Sequence, residues 1–144
     1  MSDCELCIRS TLPILWQDKT FRIVLVNNQN IRGYLRLELI DHIKEIHHLT
    51  PAIQSEMYKM IYVIEKIITD IYKPEKINLA SLGNKTPHVH WHIIARFMND
   101  NFFPESIWGD PVRHNKFENS IDEINQLKQQ LKDRKSTRLN SSHT

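Results

Sequence analysis

The sequence contains no run of apolar residues that approaches the roughly 20 needed to span a bilayer. Its first residues are acidic, whereas a secretory signal peptide begins with basic residues that lead into an apolar stretch. These two absences predict a cytoplasmic protein that has no membrane partner. In that reducing compartment a structural disulfide is not expected.

A strong charge of either sign is also missing. The formal net charge at pH 7 is +2, and the lysines and arginines are scattered along the 144 residues. Nucleic-acid-binding domains usually carry clustered basic residues, so we expect no nucleic-acid partner. The balance of 40% apolar and 25% charged residues is typical of a soluble globular protein, and the length suits one domain.

Hydrophobic patterning predicts short strands and two helices within that domain. Apolar residues recur at steps of three and four from about residue 50 to 72, where Thr50 and Pro51 begin a long helix and Pro74 ends it. A second helix begins with a capping box at Ser120 and is predicted to end near residue 133. Strands are predicted at 14–16, 21–26, 34–40, 77–82 and 88–97.

The C-terminal residues 134–144 show no apolar periodicity, and we predict that they are disordered. Their sequence resembles a translated vector sequence, so we treat this tail as non-native. The predicted domain therefore spans residues 1–133.

Cysteine is scarce, but the two that occur, Cys4 and Cys7, form a C-x-x-C pair. Such a pair can be half of a zinc site, a redox pair, or two thiols without metal. No βαβ pattern follows, which disfavours the redox pair. A zinc ion would need two more ligands, and the candidates are His42 and His88.

The most informative segment is the run from His88 to Ile94, in which His88, His90 and His92 alternate with apolar residues. A strand with this period places all three imidazoles on one face, about 6.5 to 7 Å apart. A surface strand that happens to carry histidines is one interpretation. The spacing otherwise allows a metal site or a nucleophilic histidine with helpers.

This run resembles the H-φ-H-φ-H-φ-φ signature of the histidine triad (HIT) family of nucleotide hydrolases and transferases. Residues 78–84 before it, 95–97 after it and the later Trp108 strengthen the likeness to bacterial members, in particular those similar to diadenosine polyphosphate hydrolases. The resemblance covers about residues 4 to 113. It implies an α+β fold with an antiparallel sheet of about five strands, one long helix packed on the sheet, a C-terminal helix, and a homodimer.

The resemblance also implies a two-step reaction at the α-phosphate of a diadenosine polyphosphate or a nucleoside phosphoramidate. His90 would attack phosphorus and form a nucleotidyl-histidine, which water then hydrolyses. His92 would donate to a non-bridging oxygen, and His88 would orient the site or bind zinc. Catalysis would require no metal.

Five further residues are implied to bind the substrate: Asn78, Gly83, Asn84, Lys85 and Asn27. The chain departs from the family pattern at three of these places. Asn27 stands near the place where the family usually has a ribose-binding Asp. Asn84 stands in place of a glutamine, and Lys85 in place of a residue with a hydroxyl group. The family also often has a histidine where this chain has Tyr34.

Some bacterial members hold a structural zinc ion with two N-terminal cysteines, a histidine after the second long strand, and the first triad histidine. Cys4, Cys7, His42 and His88 fall at these positions. Two other hypotheses remain open: a catalytically weak nucleotide-binding or adaptor protein, and a zinc enzyme that binds metal directly through His88, His90 and His92.

Overall fold

The computed structural model describes residues 4–8, 11–27 and 30–141, with side chains described as far as Arg134 except that of Ile8. Nine elements of at least three residues follow one another in these ranges. They are α1 (Glu5–Ile8), β1 (Ile14–Gln17), β2 (Phe21–Leu25), β3 (Tyr34–Leu39), a 3₁₀ turn (Ile46–His48), α2 (Pro51–Tyr72), β4 (Lys76–Ala80), β5 (His90–Arg96) and α3 (Ile121–Ser141).

The five strands form one antiparallel sheet in the order β1-β2-β3-β5-β4. This confirms the predicted α+β fold with a five-stranded sheet. β4 is therefore an edge strand, and β5, which carries two of the triad histidines, lies between β3 and β4. The triad strand is thus held by backbone hydrogen bonds on both sides.

Helix α2 covers one face of the sheet, as its periodicity predicts. The hydroxyl of Thr50 accepts a hydrogen bond from the backbone N–H of Ile53, and Pro51 occupies the first turn. The apolar stripe of α2 packs on the odd-numbered residues of the two central strands, including Leu35, Leu37 and Ile93. The opposite face of the sheet is therefore left to the polar residues of the same strands.

Helix α3 extends further than the sequence analysis expected. It continues to Ser141 instead of ending near residue 133, and so replaces most of the predicted disordered tail with helix. No proline or glycine follows Asp133 to stop the helix, and adding a residue to an existing helix costs little. Residues 142–144 lie outside the described part, and the non-native origin of the tail stays a prediction.

Among the described residues, no helix is both long enough and apolar enough to cross a membrane.

Candidate active site and metal centre

The sheet face opposite α2 carries a strip of polar side chains from β3 and β5. In the register of these strands, Tyr34 pairs with Ile94, Arg36 with His92, and Glu38 with His90. Residues directly opposite each other in an antiparallel pair project to the same face. The alternation of β3 thus places Arg36 and Glu38 beside the histidines, while its leucines enter the core.

His90 is buried and its orientation is fixed by the backbone. Its Nδ1 lies 2.6 Å from the carbonyl oxygen of His88. A carbonyl only accepts hydrogen bonds, so Nδ1 carries a proton and, in the neutral ring, Nε2 keeps its lone pair. The hydroxyl of Ser81 donates to the carbonyl of His90 at 3.0 Å and steadies the same turn of backbone. A neutral imidazole held in this way is a competent nucleophile.

His92 lies next to His90, with ring centroids 5.0 Å apart and the two rings nearly perpendicular. Its Nδ1 is 2.6 Å from the hydroxyl of Tyr34. The ring of Trp108, from the loop after β5, packs edge-to-face with the His92 ring, with the ring centroids 5.1 Å apart. Trp108 remains half exposed. Burial, with help from the nearby His90 and Arg36, lowers the pKa of His92 to about 4. The ring is therefore neutral at physiological pH.

His88 does not belong to the triad strand, contrary to the prediction of a strand that begins at residue 88. β5 begins at His90. The carbonyl of Val89 still accepts from Leu39 of β3 at 3.3 Å, but the N–H of Val89 donates to the carbonyl of Ile43, outside the sheet, and Pro87 has no N–H to donate. The ring of His88 packs against His42 with centroids 5.0 Å apart. The three histidines thus do not form one row: two face each other, and the first belongs to a separate cluster.

That cluster contains Cys4, Cys7, His42 and His88, whose ligand atoms all lie within 4.8 Å of one another. Nδ1 of His88 is 3.4 Å from Sγ of Cys4, 3.6 Å from Sγ of Cys7 and 3.2 Å from Nδ1 of His42. Sγ of Cys7 is 3.2 Å from Nδ1 of His42. Zinc bonds of about 2.0 to 2.3 Å in a tetrahedron place neighbouring ligand atoms about 3.3 to 3.8 Å apart. The cluster is close to these dimensions, and its two thiols and two imidazoles are ligands that zinc prefers.

The protonation of His88 suits a metal ligand. Its Nε2 donates to the carbonyl of Leu39 at 2.7 Å, which leaves the Nδ1 lone pair facing the cysteines and His42. Burial lowers the pKa of His88 and so favours the neutral ring that binds metal.

A buried ion-pair network ties the cysteine segment to the sheet. Arg22 donates to the carbonyl of Leu6, between the two cysteines, and pairs with Glu38 at 2.7 Å. Glu38 is fully buried and also accepts from Nε of Arg36 at 2.6 Å. The polar face of the sheet therefore connects the metal cluster to the triad.

The predicted substrate-binding residues are placed in different surroundings. Asn78 lies on the triad face, and its Oδ1 accepts from Arg96 at 2.7 Å, so its amide N–H groups can donate elsewhere. Gly83 and Asn84 line a cavity of about 700 Å³ that Val89 also lines and that none of the triad histidines lines. Lys85 is exposed in the same loop.

Asn27 is separated from these residues. It lines a cavity of about 130 Å³ with Ile31, with Glu118 and Asn119 just before α3, and with Ile124 of α3. Its neighbour Asn28 lies outside the described residues. Of the predicted site, the described structure brings together His90 and His92, and brings His88 together with Cys4, Cys7 and His42.

The sequence analysis did not predict that Tyr34 hydrogen-bonds His92, that Arg36 lies opposite His92, or that Arg96 bonds Asn78. A signal for the first two was present, because the alternation of Leu35, Leu37 and Leu39 places these leucines on one face of a strand. Tyr34 and Arg36 then had to lie on the other. Their pairing with β5 could not be read from the sequence, because strand register depends on the assembled sheet.

Comparisons with known proteins agree on one family. The sequence profile of the HIT domain matches residues 10–99. The chain is similar in structure to a histidine triad protein from Bradyrhizobium japonicum, with 25% identity, a TM-score of 0.67, and coverage of 84% of this chain and 88% of the other. A histidine triad protein from Sinorhizobium meliloti has 23% identity and a TM-score of 0.68, with coverage of 85% of this chain and 88% of the other. One from Marinobacter aquaeolei gives 21%, 0.67, and coverage of 83% and 85%. No curated protein matches the chain.

Proposed function

The chain belongs to the HIT domain family, whose members are known for nucleotide hydrolase and transferase activity, and we propose that it hydrolyses a nucleotide at the α-phosphate through a nucleotidyl-His90 intermediate. The substrate class is a diadenosine polyphosphate or a nucleoside phosphoramidate. The observation that carries this proposal is the hydrogen bond from Nδ1 of His90 to the carbonyl of His88. It leaves Nε2 as the nucleophilic atom.

In the first step the Nε2 lone pair of His90 attacks phosphorus, an N–P bond forms, and the bond from phosphorus to the leaving group breaks. The leaving group departs with that electron pair and takes up a proton. In the second step water attacks phosphorus and loses a proton to solvent, the N–P bond breaks with its electron pair returning to Nε2 of His90, and the nucleoside monophosphate is released. The carbonyl of His88 stabilises the positive charge on the nucleotidyl-imidazole by accepting from Nδ1–H in both steps.

His92 supplies a neutral N–H beside the nucleophile. Its proximity to His90 lets it donate to a non-bridging phosphoryl oxygen, where negative charge grows in the transition state. The free amide N–H groups of Asn78 are further donors on the same face. Gly83, Asn84, Lys85 and Asn27 are kept as substrate-binding residues from the family likeness alone.

The Cys4, Cys7, His42 and His88 cluster is proposed to hold a structural zinc ion. Four protein ligands leave no open position for water, so zinc would supply structural rigidity and not reaction chemistry. A cytoplasmic location would keep both thiols reduced for this role. A zinc enzyme built on all three triad histidines is less favoured, because the described cluster includes only His88 of the three.

A homodimer is proposed from the family likeness, from an edge strand of the sheet and from exposed apolar side chains. β4 is an edge strand, and edge strands offer unpaired backbone groups to a partner. Leu79 on this strand, Leu82 just after it and Tyr62 on α2 are exposed by 41%, 49% and 66%. Light scattering of the purified protein tests this proposal, with a dimer mass expected and a monomer mass contradicting it.

The hydrolase proposal is tested by replacing the nucleophile. His90→Ala should abolish hydrolysis of adenosine 5′-phosphoramidate and of diadenosine polyphosphates, while His48→Ala, which removes an exposed histidine of the 3₁₀ turn, should leave the rate unchanged. Circular dichroism of both variants checks that each is folded. A folded His90→Ala protein that cleaves either substrate at the wild-type rate would refute the assignment.

The second candidate function is a nucleotide-binding or adaptor protein with little turnover. It is favoured by Asn27 and Lys85, which replace the ribose-binding and hydroxyl residues of the family, and by the Gly83 and Asn84 cavity, which none of the triad histidines lines. Calorimetric titration with AMP beside a turnover assay separates the two functions. Tight binding with no turnover would favour the adaptor.

A further inference from the structure

Tyr34 lies on the triad face and contacts His92 directly. It is also a position at which the chain departs from the family pattern. Its hydroxyl lies 2.6 Å from Nδ1 of His92, and both residues are buried. We propose that Tyr34 is a positioning residue that holds His92 in the tautomer with its proton on Nε2, and that this proton is the one offered to the phosphoryl oxygen. This inference rests on the proposed function for its chemical meaning.

The direction of the hydrogen bond follows from the two groups. Burial raises the pKa of the Tyr34 hydroxyl to about 12, so it keeps its proton at neutral pH. Among the hydrogen bonds of the described residues, His92 is the one partner of this hydroxyl. If Nδ1–H donated instead, the phenolic proton would be buried without an acceptor, which is unfavourable. Tyr34 therefore donates, and Nδ1 of His92 accepts.

The charges around His92 explain why a phenol suits this place. His90 on the same strand and Arg36 on β3 both disfavour a positive charge on the ring, and the third neighbour, Trp108 of the loop after β5, is uncharged. A carboxylate at the place of Tyr34 would instead favour the imidazolium and compete for its proton. A neutral hydroxyl fixes the tautomer without adding charge. His92 thus acts as a neutral donor whose proton faces away from Tyr34.

The tyrosine is itself well fixed. Its ring belongs to a small apolar cluster with Val26, Ile31, Ile94 and Ile107 on the triad side of the sheet. Its backbone is paired on both sides, with Val26 donating to the Tyr34 carbonyl and Ile94 opposite it in β5. A rigid anchor of this kind can set the ring angle of His92 as well as its tautomer.

The test combines ¹⁵N NMR of the imidazoles with kinetics. In the wild-type protein, the nitrogen shifts of His92 should report an unprotonated Nδ1 and a protonated Nε2 at neutral pH. In Tyr34→Phe the ring should lose this single tautomer, and kcat should fall about ten- to a hundred-fold with KM within about two-fold, as expected when the partner that orients a functional histidine is lost. Tyr34→His, which restores an N–H donor, should recover part of kcat.

The matched control is Tyr72→Phe, which removes another buried hydroxyl, carried by α2 and bonded at 2.7 Å to Asn119 instead of to a histidine. It should leave both the His92 shifts and kcat unchanged. A wild-type spectrum with the proton on Nδ1 would overturn the proposal without any variant, even if Tyr34→Phe failed to fold. An Nε2–H tautomer in a protein that hydrolyses no nucleotide would instead contradict the proposed function and leave the role of Tyr34 standing.

Discussion

The ring of His90 donates a hydrogen bond from its Nδ1 to the backbone carbonyl of His88, at 2.6 Å. The ring of His88 meanwhile faces Cys4, Cys7 and His42. One residue therefore contributes its side chain to the candidate metal centre and its main chain to the candidate nucleophile. The backbone of His88 thus links the orientation of the His90 ring to the metal cluster.

The first prediction concerns the metal. The purified protein should contain about one zinc ion per chain, and Cys7→Ser should lose it, because three ligands hold zinc less tightly than four. An ion whose free concentration is about a hundred times its Kd adds about 2.7 kcal/mol to the free energy of unfolding. Its loss therefore corresponds to a decrease in Tm of about 5 to 10 °C. Elemental analysis and thermal unfolding measure both effects.

His48→Ala is the control for this experiment, since it removes a histidine outside the cluster and should change neither zinc content nor Tm. Zinc bound at the same level by Cys7→Ser would show that the cluster is not the site.

The second prediction concerns the buried charge network. Glu38 has no exposed surface and is shared by Arg22 and Arg36, so Glu38→Gln should leave two guanidinium groups without a counter-charge. Breaking a buried pair costs about 3 to 5 kcal/mol, and the partial exposure of Arg36 places our expectation near the lower end. Urea unfolding gives the difference in free energy.

Asp70→Asn provides the comparison for a solvent-exposed pair. Asp70 bonds Lys66 at 3.0 Å with both side chains exposed, so its loss should cost less than about 1 kcal/mol. Equal effects of the two substitutions would mean that burial does not govern these interactions.

The third prediction follows from Asp100, which organises the loop that carries Trp108. Burial alone would raise the pKa of Asp100, but hydrogen bonds from Arg96 and from the backbone N–H groups of Phe97, Phe102 and Phe103 outweigh it and hold the pKa below its usual 3.8. A carboxyl whose pKa is lower in the folded state stabilises the fold at pH values above its unfolded pKa. This stabilisation is lost as the pH falls through the folded value.

We therefore expect Asp100→Asn to be less stable than the wild type at pH 7, and the difference in unfolding free energy to shrink below about pH 4. Denaturant unfolding from pH 7 to pH 2 measures it. A difference that stays constant over this range would show that ionisation of Asp100 does not contribute.

Periodicity predicted the elements because their burial is one-sided. The recurring isoleucines and methionines of α2 and the leucines of β3 had to face a common core, and the structure confirms both. The end of α3 was not predictable from periodicity, because a helix can continue past its last buried residue. Confirmation of the fold therefore extends to the sheet and α2 and not to the C-terminal boundary.

The sequence predicted which residues form the candidate site, but it did not predict how they are arranged in space. The likeness to the HIT family identified the four clustered ligands and the two facing histidines, but alternation alone placed His88 in the same row as His90 and His92. The turn of the backbone before β5 depends on the pairing of Val89 with Ile43, a contact between residues far apart in the chain. For the same reason, the bond between Tyr34 and His92 became visible only in the assembled sheet.

The central claim is that His90 becomes covalently nucleotidylated during turnover. Rapid quenching of the protein with adenosine 5′-phosphoramidate, followed by mass spectrometry of the intact chain and of its peptides, tests it directly. We predict one acid-labile AMP group per chain, on the peptide that contains His90 and absent from His90→Ala. An AMP group on another residue, or turnover that persists in His90→Ala without any adduct, would contradict it.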